Sequence, residues 1–247
     1  MAAPIYLFTD FRYDGPYVGQ MHGAILNANP SAHVVDLMHD APCRDPKRSA
    51  YLLAAVIRDL PPDATIVCVV DPGVGGTRDP LLVEAGDRKL VGPDNGLMEI
   101  VMRHAPRSAK YVLEWRPEIL SASFHGRDLF APAAALWSAG HQPASVPAIP
   151  FADSRPGADW PDDLAQVIYI DGFGNAMTGL RAATLPDPAR VALPDGTVPT
   201  RARTFSDVPR NFGFWYENSL GLVEIAVNGD SAARKYDLSL GSPITVE

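Results

Sequence analysis

Three short polar clusters, each set in a glycine- and proline-rich turn, carry the side chains with which this 247-residue chain could do chemistry. They are Asp71-Pro72-Gly73-Val74-Gly75-Gly76-Thr77-Arg78, Pro93-Asp94-Asn95-Gly96 and Phe124-His125-Gly126-Arg127-Asp128. Together they offer a carboxylate, an arginine and a histidine. That set is enough for chemistry. The glycines after Asp71 let backbone approach a ligand closely. No Gly-Lys-Ser/Thr and no GxGxxG can be laid on that segment, so a phosphate loop is not supported. Taken singly, each cluster also has a plain structural reading. Asp71 and Arg78 can pair within a tight turn, Asn95-Gly96 is a common turn, and Asp128 can cap a helix. Asp10 ends the first strand-like segment, where open α/β sheets bind ligands. Later in the chain, Asp171-Gly172-Phe173-Gly174-Asn175 and Asn218-Ser219-Leu220-Gly221 are either further polar sites or ordinary turns.

These clusters need a scaffold. Up to about residue 140, strand-like and helix-like segments alternate. Residues 5–9, 34–37, 65–70, 81–85, 89–91 and 111–113 read as strands, and 17–27, 46–60, 97–104 and 128–139 as helices. The 65–70 run is unbroken, apolar and β-branched, as expected of a central strand covered on both faces. This rhythm predicts an α/β domain with a largely parallel central sheet. Five prolines between 143 and 161 break regular structure. The expected division is therefore an α/β domain over 1–145, a proline-rich linker over 146–163 and a smaller, mostly β domain over 164–247. In the last, strands are expected at 166–170, 190–193, 197–203, 222–227 and 243–246, and a helix at 231–235.

Composition narrows the partners. The net charge is −8 with no basic run, which argues against nucleic acid or an anionic membrane. Cys43 and Cys68 show no metal spacing, and Cys68 reads as a buried hydrophobe. A metal site from His33, Asp36, His39 and Asp40 fits no standard pattern. No secretory signal and no membrane-spanning stretch is visible, so a cytoplasmic protein is expected.

Seven motifs stand in a single order: Thr9-Asp10-Phe11, Tyr17-Val18-Gly19, Asp71-Pro72-Gly73-Val74-Gly75, Pro93-Asp94-Asn95-Gly96-Leu97, Phe124-His125-Gly126-Arg127-Asp128, Phe173-Gly174-Asn175 and Asn218-Ser219. In this the chain resembles the S-adenosyl-L-methionine (SAM) hydroxide adenosyltransferases, relatives of the fluorinase and chlorinase. The resemblance implies hydrolysis of SAM to adenosine and L-methionine, with no cofactor. It implies a homotrimer whose ligand lies between one subunit's N-terminal domain and a neighbour's β-barrel-like C-terminal domain. Asp71, Arg78 and His125 become the catalytic triad, with Asp71 and His125 expected to position the water and accept its proton. Asp10 is expected on the ribose diol, Asp171 on the methionine ammonium, Ser219 on its carboxylate and Asn175 on the adenine edge. Phe124, Phe173 and Phe205 are expected to wall the nucleoside, with Asn95 and Gly126 also in the binding site. Arg12 and Gly179 depart from the family pattern. Two rival readings stay beside this one, a SAM-dependent halogenase and a non-catalytic SAM-binding or sensing protein. A methyltransferase is disfavoured, because no glycine-rich methyltransferase motif follows the first strand.

Overall fold

The computed structural model describes residues 3–247; Met1 and Ala2, the start of the segment read for a secretory signal, lie outside it. The chain divides into two compact units between Asp159 and Trp160.

The first unit is built from β1 (Ile5–Thr9), α1 (Tyr17–Ala28), β2 (Val34–Met38), α2 (Pro46–Val56), β3 (Thr65–Val69), β4 (Pro80–Ala85), β5 (Arg88–Pro93), α3 (Glu99–His104), β6 (Ser108–Leu113), α4 (Ala131–Ser138) and β7 (Ser145–Ala148). Its seven strands form one sheet in the order β2-β1-β3-β5-β4-β6-β7. The expectation of a largely parallel sheet is only half right. β2, β1, β3 and β5 are parallel, whereas the β5–β4, β4–β6 and β6–β7 pairings are antiparallel. The physical reason lies in the two residues Gly86 and Asp87 between β4 and β5, with Gly86 at φ +65°. A two-residue link can close a hairpin but cannot make a parallel crossover.

Alternation along the central strands explains why both faces are covered. Ile5, Leu7, Val67 and Val69 share one cluster with Met21 and Ile25 of α1 and with Phe130–Trp137 of the α4 region. Their neighbours Phe8, Ile66 and Cys68 are equally inaccessible and point the other way. Burial also pushes the Cys68 thiol far up from its ordinary range, so it remains an inert thiol. The helix α2 starts as its sequence dictates: Pro46 occupies the first turn, and the Asp45 side chain accepts from the Arg48 amide at 3.0 Å. Within the stretch expected to lack regular structure, β7 forms as an edge strand paired only to β6. Its Pro147 is tolerated there because an edge strand leaves one row of donors unneeded.

The second unit contains β8 (Leu164–Ile170), β9 (Ala176–Arg181), β10 (Val191–Ala192), β11 (Thr200–Arg201), β12 (Gly213–Glu217), β13 (Leu222–Val227), α5 (Ala232–Lys235) and β14 (Thr245–Val246). Five strands form a sheet in the order β11-β12-β13-β9-β8, and β10 pairs with β14. Sequence reading missed β9 and β12 and overextended β11. Val223, Ile225 and Val227 of β13 enter this unit's core beside Trp215 and Val167. The whole chain is thus a mixed α/β protein with several sheets. No helix among the described residues is long and apolar enough to cross a membrane.

Candidate active site

The topology decides which residues meet in the first unit. Asp10, Asp71 and Asn95 each lie just beyond the carboxyl end of a parallel strand, β1, β3 and β5. Arg78 arrives from the other direction. β4 runs antiparallel to β5, so its first residue Pro80 pairs with Pro93, the last of β5. The hairpin that breaks the parallel pattern is therefore what returns Arg78 to the functional end of the sheet.

The 71–78 loop then reaches the segment carrying His125. Gly75 sits at φ +77°, and a Cβ on it would lie 2.5 Å from the backbone oxygen of Ala122. A side chain there would push the two loops apart. His125 precedes one π-type turn, Gly126–Phe130, in which the Ala131 amide donates to the Gly126 carbonyl five residues back. The turn runs directly into α4, whose apolar face anchors it in the core. Expectation placed a plain helix from Asp128. Instead Asp128 lies inside the turn, accepting from the Ser121 amide at 2.9 Å and pairing with Arg127. Such turns recur where a helix must aim a functional group.

Arg78 is the hub of the resulting triad. Its Nε donates to Asp71 Oδ1 at 3.0 Å and Oδ2 at 2.9 Å, and its Nη2 reaches Oδ2 at 2.5 Å. The same Nη2 lies 2.9 Å from His125 Nδ1. The side chains of Arg78 and Asp71 are only 11% and 4% exposed, so the pair is shielded from solvent screening. Guanidinium has no acceptor, so His125 Nδ1 must accept. That assigns the imidazole proton to Nε2 and makes the neutral ring a donor on that side. Burial, followed by the Arg78 charge, holds the His125 pKa below the usual histidine range.

A cavity of about 480 Å³ opens beside the triad, lined among others by Asp71, His125, Phe124, Gly126, Phe11 and Tyr17. The rings of Phe11, Tyr17 and Phe124 meet at centroid distances of 5.5–5.9 Å, giving an aromatic wall. A Cβ at Gly126 would meet Met21 Sδ and Phe124 Cε2, both at 3.2 Å, so glycine preserves the cavity's shape. Arg78 lies behind the lining. Asp10 is also outside it; its carboxylate accepts from the Arg44 amide at 2.9 Å. Burial, and to a lesser degree the Asp71 charge, raise the Asp10 pKa. Asn95 is used locally: Nδ2 donates to the Val70 carbonyl at 2.9 Å and Oδ1 accepts from the Leu97 amide at 3.2 Å. It ties the end of β5 to the end of β3 and does not line the cavity.

In the second unit Asp171, Phe173, Asn175, Phe205 and Ser219 all line one cleft of about 780 Å³. Its floor is a cross-strand row, Tyr216, Glu224 and Met177, in register on β12, β13 and β9. Asp171 accepts from the Phe173 and Asn175 amides and from Asn175 Nδ2, each at 2.9 Å. Phe173 is 83% exposed, a large apolar side chain left free at the rim. Sequence reasoning singled out neither Phe11 and Tyr17 as wall residues nor Tyr216 and Glu224. The first two stood inside quoted motifs. Glu224 was visible as the one charge in an apolar strand.

Among the described residues no group of three or more histidine, cysteine or acidic side chains could hold a metal ion. Asp36, weighed for such a site, instead lies between two imidazoles, its Oδ1 2.6 Å from His22 Nε2 and 3.0 Å from His39 Nε2.

Comparison with known proteins identifies the family. The N-terminal domain of the SAM hydroxide adenosyltransferases matches residues 5–147, and their C-terminal domain matches residues 165–245. The (R)-S-adenosyl-L-methionine hydrolase of Thermus thermophilus is 36% identical, over 98% of each chain. The enzyme of that name from Salinispora arenicola is 35% identical over 96% of this chain and 95% of its own. A solved structure of a conserved protein from Thermotoga maritima superposes with a TM-score of 0.84 at 25% identity, covering 98% of this chain and 99% of that one. Another, of a conserved protein from Thermus thermophilus, gives 0.79 at 33% identity, covering 99% and 100%. The chain belongs to the SAM hydroxide adenosyltransferase family.

Proposed function

We infer that the chain hydrolyses SAM to adenosine and L-methionine by attack of water on the ribose C5′. The observation that carries this is the assembled Asp71–Arg78–His125 triad at the cavity wall, in a chain similar over nearly its full length to named SAM hydrolases. The electron balance is simple. A bond forms between the water oxygen and C5′, the C5′–S bond breaks, and its pair neutralises the sulfonium as the thioether of methionine. The leaving group needs no proton, so the protein supplies only a base and a position.

The triad divides those tasks. Because His125 Nδ1 is engaged by Arg78, His125 presents Nε2–H and orients the water oxygen as a donor. Asp71 remains as the group that accepts the water proton. Its oxygens have lone pairs beyond those taken by Arg78. The guanidinium holds both partners and steadies the oxygen as it becomes negative. This sharpens the expectation that Asp71 and His125 share the proton. The family's wider pattern completes the proposal. Asp10 takes the ribose diol. Asp171 takes the ammonium and Ser219 the carboxylate of the methionine arm. Asn175, whose Nδ2 is held by Asp171, offers Oδ1 to the adenine amino group. Phe124, Phe173 and Phe205 pack the nucleoside. The assembly would be a homotrimer in which one subunit's N-terminal cavity is completed by a neighbour's C-terminal, barrel-like unit. The reaction so written calls for no cofactor.

A halogenase is the less favoured alternative, because the Asp71 carboxylate at the cavity wall repels a halide nucleophile. Chromatography of the products with and without chloride separates the two. Halide-independent adenosine and methionine support hydrolysis; a 5′-halogenated nucleoside, or binding without any product, rejects it.

A further inference from the structure

Glu224 is a buried carboxylate that the proposed chemistry leaves unused. It lies on β13, where every residue is buried, and is itself 2% exposed. Val223 and Ile225 on either side enter the core, so Glu224 faces the cleft side of the sheet. Its Oε1 accepts from the Tyr216 hydroxyl at 2.5 Å, and its Oε2 accepts from Asn218 Nδ2 at 2.7 Å. Burial and the neighbouring Glu224 push the Tyr216 phenol up, so it stays protonated and donates.

These bonds set what the cleft can offer a ligand. The Tyr216 proton is turned toward Glu224, so its oxygen shows the cleft only lone pairs. Asn218 is held in place: one Nδ2 hydrogen goes to Glu224, and its Oδ1 accepts from the Leu220 and Leu222 amides, both at 3.0 Å. One Asn175 Nδ2 hydrogen is held by Asp171, and Asn175 Oδ1 is the atom given to the adenine edge. For the other end of the ligand the cleft floor presents two acceptors, Tyr216 Oη and the Asp171 carboxylate. The charged donor at the cleft, Arg234, is peripheral, 80% exposed and 2.8 Å from Asp230. An ammonium, with several donors and no acceptor, is the ligand group that suits such a floor.

We propose that Glu224 is a specificity-determining residue of this cleft. By turning the Tyr216 hydroxyl inward it makes the cleft select nucleosides whose sulfonium arm ends in an ammonium. This deepens the hydrolase reading and rests on it. Glu224→Gln reverses the polarity, because the amide can donate to Tyr216 Oη and release the phenol proton toward the ligand.

The test compares SAM with its analogue in which the amino group is replaced by hydrogen, for wild type, Glu224→Gln, Tyr216→Phe and the double variant. The expected result is a loss of about tenfold in kcat/KM for SAM in each single variant, carried mainly by KM. The deaminated analogue changes by less than about twofold, and the double variant is no worse than either single. Equal losses on both substrates, or none on either, overturn the proposal. Should Glu224→Gln fail to fold, Tyr216→Phe gives the same comparison alone. Should the wild type release no adenosine at all, the hydrolase reading fails separately. Calorimetric binding of the same two nucleosides then decides the selectivity: its loss in the variants supports the role of Glu224, and its persistence rejects it.

Discussion

Replacing Arg78 with lysine removes the geometry of the triad while keeping its charge. The guanidinium makes contacts to both Asp71 oxygens through two nitrogens and reaches His125 Nδ1 with one of them. A lysine ammonium is a single point and cannot hold the carboxylate in a fork while also fixing the imidazole. At least two charge-assisted bonds are lost, each worth about 1.5–3 kcal/mol, and the retained Coulomb attraction returns part of that. A net cost of about 2–4 kcal/mol in the transition state lowers kcat by roughly 30- to 1000-fold. Arg78 does not line the cavity, so KM should change by less than about threefold. Steady-state adenosine release over a range of SAM concentrations measures both. A variant retaining kcat within about threefold of wild type, or losing affinity instead of turnover, would refute the claim that the fork positions Asp71 and His125.

Two further outcomes follow from the same geometry. Protonating His125 puts a second cation against Arg78 and removes the Nδ1 acceptor. Since burial and then Arg78 lower its pKa, the folded protein binds this proton less readily than the unfolded chain. Both kcat and the stability contribution of this group should therefore hold through neutral pH, fall on acidification, and show a kcat midpoint below the ordinary value of about 6.5. In Arg78→Ala the midpoint should move upward; a pH–rate profile with no acidic limb, or an unmoved one, contradicts this. Asn95→Ala removes the bond from Nδ2 to the Val70 carbonyl, so unfolding by denaturant should show a loss of about 1–3 kcal/mol, with kcat falling more than KM rises. A pure KM effect would return Asn95 to substrate binding.

What the sequence made legible follows from what each element depends on. The strand at 65–69 and the start of the helix at 46 rest on local signals, an unbroken β-branched run and a proline in the first turn, and both are where those signals put them, although the helix ends at Val56 and not at residue 60. The residues of the triad were readable as types, because each sat in a turn before or after a strand-like or helix-like segment. Their assembly was not, since it depends on the antiparallel course of β4, which the alternating pattern concealed even though Gly86-Asp87 marked it. β9 was hidden by Gly179 in its interior. The structure supplies the reason for that residue: a Cβ there would lie 2.7 Å from Leu164 Cβ and 2.8 Å from the Leu164 oxygen across the β8 pairing. β7 was concealed by its prolines, tolerable only because the sheet ends there. Asn95 shows the opposite limit, a motif residue whose side chain serves the turn and not the cavity. The partnership of Tyr216 with Glu224 needed the cross-strand register, which no single segment carries.

The most direct test of the account is to run the reaction in ¹⁸O-enriched water and weigh both products. Attack of an activated water on C5′ predicts one ¹⁸O in the 5′-hydroxyl of adenosine and none in methionine, with the rate collapsing in Asp71→Asn. Unlabelled adenosine, label in the amino-acid product, or an Asp71→Asn variant as fast as wild type would contradict it.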